Sequence, residues 1–326
     1  MNKINWGIIG CGDVTELKSG PAFNKVKNST LVAVMRRDGM KAKDYAQRHN
    51  VPKWYTDANQ LINNPDINAI YVATPPSSHE EYTIAAIIAG KPVYVEKPMS
   101  VSYLSAKNMM LAAKENDIKL VVAHYRRAQP LFKKIKELVD EEVIGKTRTV
   151  NLQYYKKPLS KQELADPKVA WRLNPEISGG GLFNDLAPHQ LDLMIYFFGE
   201  IKTSSIMQSS QVNYDNVSGN ILFKNDVEFN GSWRFNANQN DEKDTCEILG
   251  SKGKISFAVF EHREISVIIN GKKEIFSFDK LAHVQQPMIE KVVGFFLDKG
   301  PNPCSAENGV EVMQLIEKFT GRWQQI

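Results

Sequence analysis

The chain has 326 residues, 42% of them apolar and 24% charged, a balance that excludes a disordered or collagen-like chain and, at about 100–200 residues per domain, points to two domains or one large one. The formal charge is only +4, and basic pairs such as Lys156-Lys157 and Lys272-Lys273 are scattered, so no nucleic-acid partner is expected. No apolar run approaches the roughly 18 residues of a bilayer helix and the first strand begins without an export-signal pattern, so no membrane span and a cytoplasmic location are expected.

Up to about residue 123 short β-branched runs alternate with helical stretches, the rhythm of βαβ units on a parallel sheet. The strand runs are 4–9, 31–35, 69–73, 92–95 and 119–123; residues 82–89 and 104–114 carry apolar side chains at helical spacing, with Gly90 placed to end the first. Beyond Pro130 the pattern predicts a helix over 131–139, a strand over 147–155 and an irregular stretch to about Pro175. From 201 to 278 strands are broken by the turn signals Lys224-Asn225-Asp226, Gly250-Ser251-Lys252-Gly253 and Asn270-Gly271, and helices follow over 287–297 and 306–319. The expected fold is α/β: an N-terminal doubly wound parallel sheet over 1–124, then an α/β domain over 125–326 with a large, open, mostly antiparallel sheet. The crevice between the two domains is the expected site.

Three cysteines, Cys11, Cys246 and Cys304, are odd in number and lack a CxxC, which argues against a disulfide framework and a zinc site. His49, His79, His124, His262 and His283 show no metal-ligand spacing, so no metal is expected. Hydrolase and phosphotransferase motifs are absent as well.

Gly10-Cys11-Gly12-Asp13-Val14-Thr15 follows the first strand directly, and its two glycines sit where a dinucleotide fold needs a tight turn and close approach to a pyrophosphate. Thr15 stands where the third glycine of that fingerprint belongs, and Pro21 predicts a short or displaced first helix. After the second strand the acidic ribose ligand of NAD-binding folds is replaced by Arg36-Arg37, with Asp38 following. A guanidinium pairs with a 2′-phosphate that a carboxylate would repel, so NADP is preferred over NAD. The alternative is that both arginines are solvated and Asp38 caps the next helix.

Glu96-Lys97-Pro98 follows the run 92–95, at the strand end where ligands collect in open α/β sheets. Pro98 keeps Lys97 extended, and its preceding peptide bond is open to either isomer. In the segment Gly179-Gly180-Gly181 through Asp192, Pro188 is tolerated only in a first helical turn, which predicts a helix starting near Asn184 or Asp185. Asp185 and His189 then share a face near the positive end of the helix dipole, which favours the carboxylate and a neutral imidazole able to act as a general base. The bland alternative is a core histidine satisfying a buried carboxylate.

The ordered set of the GxG turn, Ala73-Thr74-Pro75-Pro76 with His79, Glu96-Lys97-Pro98, Trp171-Arg172 and Gly-Gly-Gly with Asp185, His189 and Asp192 resembles the Gfo/Idh/MocA oxidoreductases over nearly the whole chain. The segments Gly231-Ser232-Trp233 and 248–253 look like that family's second sheet. The resemblance implies a Rossmann domain, a second domain whose open sheet serves homodimer or homotetramer contacts, and NAD(P)-dependent chemistry on sugars, polyols or related carbonyl compounds. By position it implies Lys97, Asp185 and His189 as catalytic residues. Cofactor contacts would be Gly10, Cys11, Gly12, Asp13, Val14, Arg36, Arg37, Thr74, Pro75, Pro76, His79, Glu96 and Lys97. Trp171 and Arg172 would lie near the nicotinamide, with Arg172 also on substrate. Two other functions on the same fold stay open: an NAD-dependent glycosidase, and a dinucleotide-sensing regulator, which would have no reason to keep Lys97, Asp185 and His189 together.

Overall fold

The computed structural model describes residues 2–210, 214–261 and 263–323; His262 lies outside them. Its contacts divide the chain into two compact units, Met1–Gln129 with Leu281–Glu311, and Pro130–Lys280 with Val312–Ile326.

In the first unit β1 (Ile4–Ile9), β2 (Ser29–Met35), β3 (Lys53–Tyr55), β4 (Ala69–Val72), β5 (Val93–Val95) and β6 (Leu120–Val122) form a parallel sheet in the order β3-β2-β1-β4-β5-β6. This is the doubly wound order of dinucleotide folds. β4, β5 and β6 are buried throughout, as strands covered on both faces must be. β3 escapes the sequence pattern because it is a three-residue edge strand with Trp54 partly exposed, too short for a periodicity to register. Around β1 the Trp6 ring lies 4.8 Å from Phe23 and 5.6 Å from Phe296. Such aromatic pairs add about 0.5–1.5 kcal/mol beyond their area burial.

Phe296 belongs to the helix Gln286–Phe296, in a segment that returns to this unit late in the chain. Lys119 Nζ donates to Phe295 O at 2.9 Å, and Val122 N donates to Cys304 O at 3.1 Å, so the β6 edge is closed by residues nearly two hundred positions on. No local pattern announces that return. The first helix is short, as Pro21 suggests: Asp13–Leu17, then a 3-10 turn Gly20–Asn24 with Pro21 in its opening turn. It is fastened to the helix Gly39–Arg48 by Glu16, which takes a two-pronged bond from Arg48 at 2.8 and 2.9 Å and a contact from His49 Nε2 at 2.8 Å.

In the second unit β7 (Thr147–Tyr155), β8 (Ile201–Ser209), β9 (Asn216–Phe223), β10 (Glu228–Arg234), β11 (Lys243–Gly250), β12 (Gly253–Phe257), β13 (Glu264–Ile269) and β14 (Lys272–Ser277) form one sheet, ordered β14-β13-β12-β11-β7-β10-β9-β8. Only β7 and β10 pair in parallel. The Asn270-Gly271 hairpin has φ of 49° and 79°, the two left-handed residues its tight turn requires. Alternate residues such as Val217, Ile221, Phe229, Trp233, Ile248 and Ile255 face a core shared with Phe183, Leu191 and Phe197 of the helix Gly181–Phe198. The opposite face is polar. One register row runs Ser205, Asn220, Asn230, Asn151, Glu247, Ser256, Ser266, Ile275 across all eight strands. Within it Asn220 donates to Asn230 at 2.6 Å and Asn230 to Asn151 at 3.3 Å.

Two expectations are corrected. The stretch to about Pro175 is not irregular: it holds two short helices, Lys161–Ala165 and Pro167–Leu173, and a third, Pro175–Ser178, starts where it ends. Each is started by a side-chain cap, Ser160 (reciprocated by Glu163), Asp166 and Asn174, and the latter two precede a proline at the first helical position. The second correction concerns Pro188, which lies inside the helix Gly181–Phe198 rather than in its first turn. The missing Pro188 amide leaves the Asn184 carbonyl without its usual helical donor, a loss that the deeply buried flanking residues outweigh. Asp185 and His189 therefore sit beyond the first turn, where the dipole no longer acts on them.

No helix among the described residues is long and apolar enough to cross a membrane. Cys11, Cys246 and Cys304 are buried, and among the described residues none is in a disulfide. The Arg48 guanidinium, ahead of a smaller effect from His49, brings the Glu16 carboxyl from its usual 4.5 down to about 2. A carboxylate lowered on folding stabilises above its unfolded value and loses that stabilisation as pH falls through the folded one. We expect wild type to exceed Glu16→Gln in Tm at neutral pH and the difference to shrink between pH 4.5 and about 2; a gap independent of pH would refute the clamp.

Candidate active site

All six strands of the first sheet run parallel, so the loops after β1, β2, β4 and β5 emerge at the same edge. Those loops and the first turns of the helices that follow them carry every site residue predicted for this unit. After β1, Gly10 has φ of 95° and sits so tightly that an added Cβ would lie 2.7 Å from the Thr74 backbone nitrogen. The amides of Gly10 and Cys11 both donate to Met35 O, at 2.9 and 3.2 Å, pinning the turn to the end of β2. Gly12 has ordinary extended φ of −120°, and nothing lies within 4 Å of where its Cβ would be. Thr15, in the place of the third glycine, is fully buried and its hydroxyl donates to Gly12 O at 2.7 Å, closing the turn. Burial pushes the Cys11 thiol up to about 11, against the opposing pull of Arg36, so it stays protonated.

Arg36 is half-buried and donates from Nη1 to Cys11 O at 3.1 Å, which lays its guanidinium beside the glycine turn. Arg37 is exposed, and Asp38 caps the next helix by accepting from Lys41 N at 3.2 Å. The capping alternative for Asp38 therefore holds, while Arg36 is no solvated loop residue.

His79, at the start of the helix His79–Ile88, is 1% exposed and joins two loops. Its Nε2 lies 2.7 Å from Thr74 O after β4, and Nδ1 lies 3.1 and 3.2 Å from Pro98 O and Met99 O after β5. Burial lowers its pKa, more than the Thr74, Met99 and Pro98 carbonyls raise it. The structure thus gives His79 a backbone-bracing role, with Thr74, Pro75 and Pro76 on the loop it holds. Lys97 is half-buried at the β5 end, and the Lys97–Pro98 bond is cis. Glu96 turns inward, accepting from Tyr71 and Gln285, two residues that the motifs do not flag.

In the second unit the structure brings four predicted residues together. Arg172 Nε lies 3.1 Å from Asp185 Oδ2, its guanidinium stacks 4.7 Å from the Trp171 ring, and Nη1 donates to Lys168 O. His189, one helical turn after Asp185, is 5% exposed with its ring edge-to-face against Phe260 at 5.7 Å. The helix that carries Asp185 and His189 begins from a turn in which Gly179, Gly180 and Gly181 all have positive φ, of 85°, 133° and 65°. Only glycine adopts such a run without strain. The turn is held from the far end of the chain: Arg322 donates to Gly179 O, bonds Asn184 Oδ1 at 3.3 Å and stacks over Tyr214 at 5.2 Å. Neither Arg322 nor Tyr214 stands in a motif, and only the folded chain brings them here. Among the described residues no group of three His, Cys, Asp or Glu is arranged to hold a metal ion.

The first unit's edge fits a dinucleotide, because Gly12 leaves open backbone where a pyrophosphate must approach and Arg36 stands beside it. Gly12→Ala is expected to leave Tm nearly unchanged, since the side chain has room and an allowed φ, yet to weaken binding of the reduced nicotinamide dinucleotide; Gly10→Ala is expected to destabilise the fold by about 1–3 kcal/mol. Undiminished affinity for the reduced dinucleotide in a folded Gly12→Ala variant, read by nicotinamide fluorescence, would count against this placement.

Comparison with known proteins agrees with the two-part organisation. Residues 4–124 match the oxidoreductase family with an NAD-binding Rossmann fold, and residues 132–256 match the GFO/IDH/MocA C-terminal domain. The chain is 49% identical over 322 residues to Oxidoreductase P35 of Formosa agariphila, covering 98% of this chain and 99% of that protein. It is 26% identical to the trans-1,2-dihydrobenzene-1,2-diol dehydrogenase of Xenopus laevis, over 87% of this chain and 83% of the relative. In fold it is similar to levoglucosan dehydrogenase in complex with NADH and levoglucosan, with a TM-score of 0.88 at 21% identity over 98% and 96% of the two chains. The chain belongs to the GFO/IDH/MocA family of oxidoreductases and carries that family's NAD-binding Rossmann fold.

Proposed function

We propose that this enzyme is a dehydrogenase or reductase acting on a CH–OH group of a sugar, polyol or related carbonyl compound, with NADP(H) preferred over NAD(H). Residues 1–124 bind the dinucleotide, and residues 125–326 bind substrate and form a homodimer or homotetramer through the polar sheet face. The observation that carries the reading is the Asp185–His189 pair on one helix with Arg172 bonded to Asp185 at 3.1 Å. It is the kind of arrangement that lets a carboxylate stay fixed while an imidazole one turn away exchanges a proton. Support for the substrate class comes from the relatives, whose names specify a diol and levoglucosan.

A bound nicotinamide would supply the hydride acceptor or donor, and the residues of this chain would handle the proton. His189 takes the proton from the substrate hydroxyl in the oxidative direction and gives it back in reduction. Lys97 places the reacting oxygen and polarises it with its ammonium. Asp185 orients the pair electrostatically, and Arg172 keeps that carboxylate in place and holds a further substrate hydroxyl. Trp171 gives the guanidinium a flat support, a cation–π contact of about 0.5–2 kcal/mol. The glycine turn, Arg36, Arg37 and the loop Thr74–Pro76 hold the cofactor.

A panel of sugars and polyols screened for reduced-nicotinamide absorbance identifies the substrate, and with it Lys97→Ala and His189→Ala are each expected to lose roughly 10²–10⁴-fold in kcat while still binding NADPH. Unchanged turnover in either variant would remove this mechanism. For the cofactor, Arg37→Ala is the cleaner probe, because Arg36 also braces the glycine turn. It should lose about 1.5–3 kcal/mol of NADPH affinity, roughly 10- to 150-fold, and little NADH affinity; equal loss for both would overturn the 2′-phosphate assignment.

A further inference from the structure

Behind the Lys97 loop lies a buried carboxylate that the reaction described above does not use. Glu96 is 5% exposed, and its Oε1 accepts from the Tyr71 hydroxyl and, at 2.6 Å, from Nε2 of Gln285. Its Oε2 accepts from the backbone amide of Lys97 at 3.2 Å. These three donors fill most of the roughly four acceptor sites of a carboxylate. Gln285 itself is fully buried and stands 189 residues further along the chain. Each of its polar groups is used: N–H donates to Lys18 O at 3.1 Å, Oε1 accepts from the Tyr94 hydroxyl at 3.1 Å, and its carbonyl accepts from Met288 N and Ile289 N at 3.0 and 2.9 Å. Tyr71 extends the network to Ser19 Oγ, 3.2 Å away.

A polar cluster this deep is costly unless every member is satisfied, and its members then have little freedom to move separately. Here the cluster joins the segment after the glycine turn, Lys18 and Ser19, to the backbone of Lys97. Loss of the Gln285 amide would leave Glu96 Oε1 and the Tyr94 hydroxyl each short of a buried partner. The carboxylate would relax toward other donors, and the Lys97 amide that it holds would follow.

We propose that Gln285 is a positioning residue for the redox reaction, fixing the Glu96 carboxylate and through it the point from which Lys97 presents its ammonium. This rests on the reading of Lys97 as the group that places the reacting oxygen.

The test follows Lys97 itself in the cofactor-free protein. Lysines are reductively ¹³C-dimethylated, and the Lys97 NMR signal is identified by its loss in Lys97→Arg. In Gln285→Leu the Lys97 signal should shift by more than its linewidth while that of Lys243, in the other unit, stays in place. Gln285→Glu supplies a conservative rescue. Two adjacent carboxyls cannot readily both ionise, so the introduced one has a raised pKa and, while protonated, donates to Glu96 as the amide does. Its Lys97 signal should coincide with wild type at low pH and depart from it as that proton is lost. A wild-type Lys97 signal in folded Gln285→Leu, or one that tracks wild type at every pH in Gln285→Glu, overturns the proposal. Should Gln285→Leu fail to fold, the Gln285→Glu titration decides. The parent reading fails separately: full turnover in Lys97→Ala would remove the catalytic role of Lys97 whether or not its signal responds to Gln285.

Discussion

Six strands pointing the same way leave six carboxyl ends along one edge, and the chemistry of the first unit depends on that constraint. Residues from positions as separate as Gly10, Arg36, Thr74 and Lys97 become neighbours because each follows a strand of the same sheet. The glycine turn is then set by three backbone decisions. Met35 O holds two of its amides, Gly10 fits against Thr74 where a side chain could not, and Gly12 is left open. Thr15 shows how the chain manages without a third glycine. Its hydroxyl is spent on the Gly12 carbonyl, and its own carbonyl accepts from Tyr45 at 2.9 Å.

Buried polar side chains hold this edge rigid. His79 braces the loops after β4 and β5 against each other through backbone carbonyls. Glu96 does the same work with a carboxylate, tying the β5 end to Tyr71 on β4 and to Gln285. Burial raises the Tyr71 and Tyr94 hydroxyl pKa values well above normal, and the nearby Glu96 charge adds to this, so both remain hydrogen-bond donors at any physiological pH. Such groups would destabilise the unit if left half-paired, which explains why they occur as a connected set.

The second unit solves a different problem. Its helix Gly181–Phe198 must be apolar enough to cover a sheet and still carry Asp185, His189 and Asp192. The three glycines that precede it let the chain enter at an angle that no other residue type permits, and Arg322 locks the entry. The opposite sheet face stays hydrophilic through the asparagine and serine row, a surface suited to a hydrated partner more than to a hydrophobic core.

Much of this was legible along the chain because it depends on neighbours. Strand β1 and strand β7 show in the runs 4–9 and 147–155, the hairpin at Asn270-Gly271 follows from residues that tolerate positive φ, and the short first helix follows from Pro21. The placement of the motifs on a turn or a strand end was equally readable, since such features are encoded within a few residues. What escaped was whatever distance along the chain conceals or tertiary burial overrides. Pro188 reads as a helix start, yet it lies mid-helix because packing of a buried helix outweighs one missing hydrogen bond. Gln285 and Arg322 carry no motif and become meaningful only when the late segments fold back, for a side chain's partners are chosen by proximity in space, while periodicity records only which face of an element is buried.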